Sequence, residues 1–539
     1  MAAMALDPAQ QLVVDKVMRG ESVFFTGSAG TGKTFLLNTI LNMLKEKWGA
    51  SFGDHVAVAA MTGIAATHIE GTTLNAAIGI GAPSRYRDFK TMHRPDVRAR
   101  IKGWDVLVID ECSMMSAEMF EIIEHMFRVI RRSQRPAGGL QLILCGDFFQ
   151  LPPVCKVSMA DAPPPMDVYS NYGYAFQAPA WQRVFTIENR VILTQIFRQS
   201  DATFAGMLNC IRVGEGSRQV TARLVSECGR AISCAEGIKP TQIFARNADV
   251  DRINMAELVA LPGQSVLCAS IDEVIFTTEA DAATRKRDFF KDCIAAQQLS
   301  LKEGAQVMLL KNLDPAGGLV NGSRGVVTGF QHKSVALARA KEFMTVTQFA
   351  EATTAASKWW GQNVPVVRFV SGREFGILPA IFRQEVSGLA ECKRIQMPLK
   401  LAWTITIHKS QGLTLDAAQV SLTGMFAPGQ AYVALSRARS KEGLEIVGWD
   451  NRVIPANKVV VAFYQDDSDP IIKEGWSTFC KWRWGGSDDI TAAEMMMMSV
   501  ESTSQKEIPT TGIAMMFGSK SSQESKQSTV MNTLGQAQA

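Results

Sequence analysis

Between Gly27 and Thr34 the chain reads Gly-Ser-Ala-Gly-Thr-Gly-Lys-Thr, the spacing G-x-x-x-x-G-K-[ST] of a phosphate-binding loop. Gly27, Gly30 and Gly32 let the backbone through Ser28, Ala29 and Thr31 turn its N–H groups inward on phosphate oxygens, and the following helix adds its positive end. Lys33 is placed to meet the β- and γ-phosphates, and the Thr34 hydroxyl to hold Mg²⁺. Further on, the apolar run Asp105–Ile109 ends in Asp110-Glu111. An acid at the tip of a buried strand suits a second Mg²⁺ contact, and its neighbour can orient and deprotonate a water. Alone, such a pair is as often a solvated loop. Behind a phosphate loop, in this order, it points to hydrolysis of a nucleoside triphosphate rather than to kinase chemistry.

These residues need a scaffold that brings them together. Short apolar runs at Ser22–Phe25, Val56–Ala60, Asp105–Ile109 and Leu140–Cys145 alternate with amphipathic stretches, and Leu37, Ile40, Leu41 and Leu44 recur at helical spacing. Strands alternating with helices predict a parallel sheet covered on both faces, with ligands at the carboxyl ends of the strands. A second block begins near Val191, with strand candidates at Gln242–Phe244, Ala418–Leu422 and Leu444–Val447. Within it, Gln306–Leu310 and Arg324–Val327 flank the turn signal Asn321-Gly322, which reads as a small β module. From about Asp466 the chain is rich in Ser, Thr, Gln and Met, and a tail without fixed structure is expected.

The chain has 539 residues, 47% hydrophobic and 20% charged, which predicts a soluble protein of several domains. No stretch reaches the ~18 apolar residues of a membrane span, so no membrane partner is expected. The formal charge is +4, so a nucleic-acid site must be a local basic groove. Ten cysteines without a C-x-x-C pair, and six histidines, argue against zinc and a disulfide framework and for a reducing compartment. MAAMALDPAQQ shows neither a secretory nor a transit pattern. The nucleus is the expected location, with the mitochondrion as the alternative.

Gly146-Asp147-Phe148-Phe149-Gln150-Leu151-Pro152-Pro153-Val154 goes beyond a generic nucleotide hydrolase. With VLVIDECSMM (106–115), LTQIFRQ (193–199), LVNGSRGVV (319–327), ITIHKSQGLTLD (405–416) and GQAYVALSRAR (429–439), it resembles the petite-integration-frequency (Pif) family of DNA helicases, in superfamily 1 group B. The resemblance covers roughly residues 6–464. It implies an α/β fold of two RecA-like P-loop domains that clasp ATP and Mg²⁺, with single-stranded DNA crossing their tops. The first domain spans 1–190, with a strand-separating wedge at about 77–100 that includes Arg85, Arg87 and His93. The second spans 191–300 and 396–465 around an SH3-like insertion at 301–395, and 466–539 is the tail.

Carried over position by position, Gln10 matches the glutamine that reads adenine, and Gln150 the one that senses the γ-phosphate. Arg198 and Arg437 match two arginine fingers from the second domain, and Gly412 falls in the nucleotide set. Thr62, Gly63, Thr73 and Asn75 match DNA contacts of the first domain, as does Phe149; Thr406, His408, Lys409 and Ser410 match those of the second. The implied activity is 5′-to-3′ movement on single-stranded DNA in replication, repair, recombination or telomere maintenance. DNA junctions and replication or repair proteins would be its partners, and a monomer or a DNA-induced dimer its working form. This sequence departs from the family at Asn75 (usually His), Ala137 (usually aromatic), Ala9 (usually Glu) and Cys112 (usually aliphatic). None of the four lies in the catalytic set.

Three rival readings stand beside this one: a RecD or conjugative-relaxase type of motor, a scaffold with a decayed ATPase, and an RNA remodeller. LVNGSRG weighs against the first and the intact catalytic set against the second. Contacts to the backbone leave DNA against RNA to the resemblance. Two further clusters have plainer readings. Arg128, Arg131, Arg132 and Arg135 suit a solvated helix end as well as a DNA grip, and Trp476, Trp482 and Trp484 suit a C-terminal segment packed on the body.

Overall fold

The computed structural model describes residues 6–199, 201–232, 238–276, 290, 293–314, 317, 319–386, 390–465 and 468–485. The first sheet contains β1 (Val23–Gly27), β2 (Val56–Ala60), β3 (Thr72–Thr73), β4 (Val106–Asp110), β5 (Gln141–Cys145) and β6 (Arg190–Leu193), in the order β3-β2-β4-β5-β1-β6. Every pairing in it is parallel. All five residues of β1 and of β4 are buried, which is why these strands read as unbroken apolar runs rather than alternating ones. Helices Pro8–Met18 and Lys33–Trp48 cover one face through Val13, Val17, Leu37, Ile40 and Leu44. Helix Ala117–Arg131 lines the other.

The chain then forms β7 (Thr241–Phe244) of a second sheet and leaves it for a long excursion. That excursion builds β8 (Val266–Ala269), β9 (Ile271–Phe276), β10 (Gln298–Leu301), β11 (Gln306–Leu309), β12 (Arg324–His332), β13 (Asn363–Phe369), β14 (Glu374–Gly376), β15 (Ala380–Val386), β16 (Ala390–Gln396) and β17 (Leu399–Leu401). It returns as β18 (Thr404–Thr406), β19 (Ala418–Ser421) and β20 (Leu444–Gly448), and the second sheet runs β18-β7-β19-β20, all parallel. Within the excursion the strands pair antiparallel, as β14-β13-β12-β11-β17, β15-β16-β9 and β10-β8. Strands β11 and β12 pair as expected, and Asn321-Gly322 is a turn, closed by Ser323 N–H on the Val320 carbonyl at 2.9 Å, but it leads into β12 rather than joining the two strands directly. The connection loops out through Asp314 and Leu319, which bridge each other.

Four expectations need correction. Strand β6 belongs to the first sheet, so the first domain extends past residue 190. The β module is neither all β nor confined to 301–395: it carries helices Lys333–Ala340 and Val346–Lys358, and β8 and β9 join its sheets. Helix Lys458–Gln465 does not stay with the second sheet. Its Val460 and Phe463 sit in the first domain's core, where Phe463 stacks on Phe176 at 4.1 Å. Part of the expected unstructured tail is helix Pro470–Trp484, because Ile472, Trp476, Phe479 and Cys480 supply an apolar face that the same core buries. The remainder of that tail, 486–539, lies outside the described residues.

Candidate active site and nucleic-acid track

The order β4-β5-β1 places three loops side by side at the carboxyl ends of adjacent strands. They carry Asp110-Glu111, Gly146–Gln150 and Gly27–Thr34. In the third, a side chain at Gly30 (φ +88°) would collide with Cβ of Arg198 at 2.6 Å, so only glycine fits the close approach. Lys33 donates to the Gly27 and Ser28 carbonyls at 2.7 and 3.0 Å, and Thr34 is exposed at the head of its helix. Burial pushes the Lys33 amine down, against the opposing pull of Asp147 and Glu111. Gln10 is buried and donates to the Thr31 carbonyl at 3.4 Å, which seats the helix Pro8–Met18 beside the loop.

Asp110 is buried and accepts from the Glu111 N–H at 2.8 Å. Glu111 adopts the left-handed region (φ +53°), a conformation that costs a non-glycine residue about 1 kcal/mol or more and that clusters at functional sites. Burial, then the adjacent Asp110, push its carboxyl up to about 7. That places it where a general base works best at neutral pH. Burial also raises Asp110.

The second sheet closes on this arrangement. Gln411, in the turn after β18, donates to Glu111 at 2.9 Å and reaches Gln150 at 3.5 Å. Tyr432 accepts from the Ala29 N–H of the phosphate loop at 2.5 Å. Arg212 forks onto the fully buried Asp147 with two 2.9 Å bonds. A Cβ at Gly429 would run into the carbonyls of Phe149 and Gln150, so the two domains meet backbone to backbone there. The loop before Arg198 bonds the phosphate loop through Phe197 N–H and the Gly30 carbonyl at 2.7 Å. Arg198 itself donates to the Ser436 carbonyl at 3.3 Å.

Arg437 is buried and donates to the carbonyls of Val433, Leu413 and Ser410 at 2.7, 3.1 and 3.4 Å. Burial, then the nearby Arg198, push it down to about 9. In this conformation it braces the turn that carries Gln411, while Arg198 lies against the phosphate loop. Gln411, Tyr432 and Arg212 were missed in the sequence. The first two stand inside recognised strings, beside the residues singled out, but Arg212 carries no local signal because its partner is 65 residues away.

Comparison with known proteins matches residues 5–221 to the PIF1-like helicase family and residues 290–330 to the DNA helicase Pif1 2B domain. ATP-dependent DNA helicase PIF1 of Danio rerio is 38% identical over 468 residues, which are 86% of this chain and 64% of that protein. The crystal structure of Pif1 helicase from Candida albicans is 34% identical with a TM-score of 0.66, over 86% of this chain and 99% of that one. This chain belongs to the Pif1 helicase family. A Bacteroides Pif1 in complex with ADP-AlF3 and ssDNA is 28% identical with a TM-score of 0.57, over 86% of this chain and 97% of that one. The chain spans less than two thirds of the Danio rerio protein's length.

The residues expected to contact DNA separate into exposed and buried sets. Thr62 and Thr73 are half-buried and cap short helices through Ala65 and Ala76 N–H groups, and Gly63 begins the first of these. Asn75 is half-buried at the start of helix Leu74–Ala77. Lys409 is exposed and His408 half-buried, with burial lowering the imidazole. Gly412 lies against the His68 ring.

Three of the side chains expected to contact DNA are buried. Phe149 is 6% exposed, held between Arg212, at 4.5 Å, and Tyr464, at 4.8 Å. Thr406 and Ser410 are buried, and their hydroxyls are taken by Lys409 N–H and the Ile407 carbonyl. In this structure these side chains hold local structure.

The wedge segment holds a 3-10 helix, Tyr86–His93, whose threefold period sorts its residues. Tyr86, Phe89 and Met92 are fully buried, whereas Arg87, Lys90 and His93 are exposed along one edge. Of the basic cluster further on, Arg128 pairs with Glu124, and Arg131 donates to the carbonyls of Ile101, Trp104 and Gly138. Both serve the fold.

Proposed function

We propose that this chain is an ATP-driven motor that moves 5′ to 3′ along single-stranded DNA and separates strands. The observation that carries the reading is the junction across the cleft: Glu111 and Gln150 of the first domain both meet Gln411 of the second. A base held by one domain and oriented by the other works only when the cleft has the right width.

The residues fit a nucleoside triphosphate with Mg²⁺. The phosphate loop carries left-handed glycines at Gly30 and Gly32, a lysine, and the exposed Thr34 at the head of the next helix, and the same sheet ends in the Asp110-Glu111 pair. Thr34 and Asp110 would hold the metal, whose charge stabilises the phosphate oxygens. Lys33 leaves its loop carbonyls for the phosphates, and Glu111 takes the proton of the attacking water. Gln10, seated beside the loop on the Thr31 carbonyl, would read the adenine. Arg198 offers a guanidinium to the charge that develops, a contribution of ~10³ or more in rate for such fingers. Arg437 joins it once released from the Ser410 and Leu413 carbonyls.

Each cycle of closing and opening shifts Lys409 and His408 relative to Thr62, Thr73 and Asn75, which grip backbone without reading sequence. Work on replication forks and in repair, recombination or telomere upkeep fits such a motor, alone or as a DNA-induced dimer. The test is unwinding of duplexes with a single tail: opening from a 5′ tail and not from a 3′ tail is expected, and the reverse preference would overturn the polarity.

A further inference from the structure

We propose that helix Pro470–Trp484 is a clamp that acts through Arg483 to set the position of the basic Arg87–Lys90–His93 edge, so that it controls strand separation and not ATP turnover. The proposal rests on the motor reading above. Arg483 is 2% exposed at the end of a helix far in sequence from either sheet. A buried guanidinium is costly unless its donors are satisfied. Here the two terminal nitrogens of Arg483 donate to Pro164 at 2.8 Å, Pro165 at 2.7 Å and Val168 at 3.0 Å, three carbonyls of one loop, while its Nε is buried without a partner. The same loop is held by a Tyr172–Phe479 stack at 3.9 Å and by Trp482, which donates to Asp161 at 3.3 Å.

The loop's other side is the wedge. Tyr86 N–H donates to the Asp167 carbonyl and Tyr169 N–H to the Ser84 carbonyl, each at 3.0 Å. Arg85 pairs with Val168 as a β-bridge and with Asp167 as an ion pair. Lys156 reaches the Pro83 carbonyl at 2.5 Å. Beneath the joint, the fully buried Glu118 accepts from the Tyr86 hydroxyl, from Tyr172 N–H at 3.1 Å and from Ser170 N–H at 3.5 Å.

Helix, loop and wedge therefore form one chain of contacts. Among the described residues, none of the hydrogen bonds named here touches Lys33, Asp110, Glu111 or Gln411. Loosening Arg483 frees the loop, and the loop frees residues 84–86, from which the basic edge projects. The ATP cleft keeps its own contacts.

The test compares the full chain with Arg483→Ala, Arg483→Lys and Asp167→Asn, following ATP turnover on single-stranded DNA and opening of a 5′-tailed duplex. Asp167→Asn weakens the loop–wedge link by removing the charge that holds Arg85, without entering the core, and it keeps the clamp testable if Arg483→Ala does not fold. Expected are turnover within about twofold of the parent and unwinding per ATP reduced by about tenfold, with Arg483→Lys recovering part of it. Unwinding per ATP at the parent ratio in Asp167→Asn and in folded Arg483→Ala overturns the clamp. So does a proportional fall of both activities with a lowered melting temperature, which marks mere support of the fold. A parent chain that turns over ATP but opens no duplex defeats the motor reading instead.

Discussion

Glu111 shows how much chemistry a single backbone conformation can arrange. Its positive φ aims the carboxylate into the cleft, and burial beside Asp110 raises it from an ordinary 4.5 to about 7. The linkage has a definite sign. Below about 4.5 the group is protonated in both folded and unfolded chains. Between 4.5 and about 7 only the unfolded chain gives up its proton, so stability falls as pH rises through that window. Glu111→Gln is therefore expected to melt higher than the parent at pH 8 in EDTA, with the gap closing by pH 4; a constant gap would contradict the shift. The same variant should bind ATP and hydrolyse it poorly. Arg437→Ala should also bind nucleotide nearly normally and lose about 10³-fold in hydrolysis. A loss of affinity alone would contradict its role.

At the scale of elements, the site exists because three neighbouring strands end in chemistry. These strands were legible because each is buried on both faces and so leaves an apolar run in the sequence. The loop residues were legible from their spacing. What was not legible is what returns from a distance. Strand β6, helix Lys458–Gln465 and the Arg212–Asp147 fork are fixed by partners far along the chain, and no local pattern encodes them; of helix Pro470–Trp484 only the tryptophan cluster pointed to a packed segment. Phe149 is a related case: its place in a signature string suggested contact with DNA, and the string gave no sign that Arg212 and Tyr464 enclose its ring. The fork itself makes a prediction. Asp147→Ala leaves a buried guanidinium unpaired and should cost roughly 3–5 kcal/mol, with Asp147→Ala/Arg212→Ala costing less than the sum of the two single variants. Additive costs in denaturant unfolding would show that the two domains do not communicate there.

At the scale of the molecule, two parallel sheets face each other across a cleft whose floor is the phosphate loop. Tyr432 on Ala29, Gln411 on Glu111 and Arg212 on Asp147 are among the contacts that tie them. The residues proposed to grip DNA lie on both halves, so a strand lying across them would bias the width of the same cleft. Hydrolysis should then depend on DNA, although no DNA group enters the chemistry. The direct measurement is the steady-state rate of ATP hydrolysis by the full chain, with and without single-stranded DNA, beside Lys33→Ala. The account predicts slow turnover alone, at least about tenfold faster turnover with DNA, and none above background for Lys33→Ala under either condition. Turnover that ignores DNA, or that survives loss of Lys33, would contradict it.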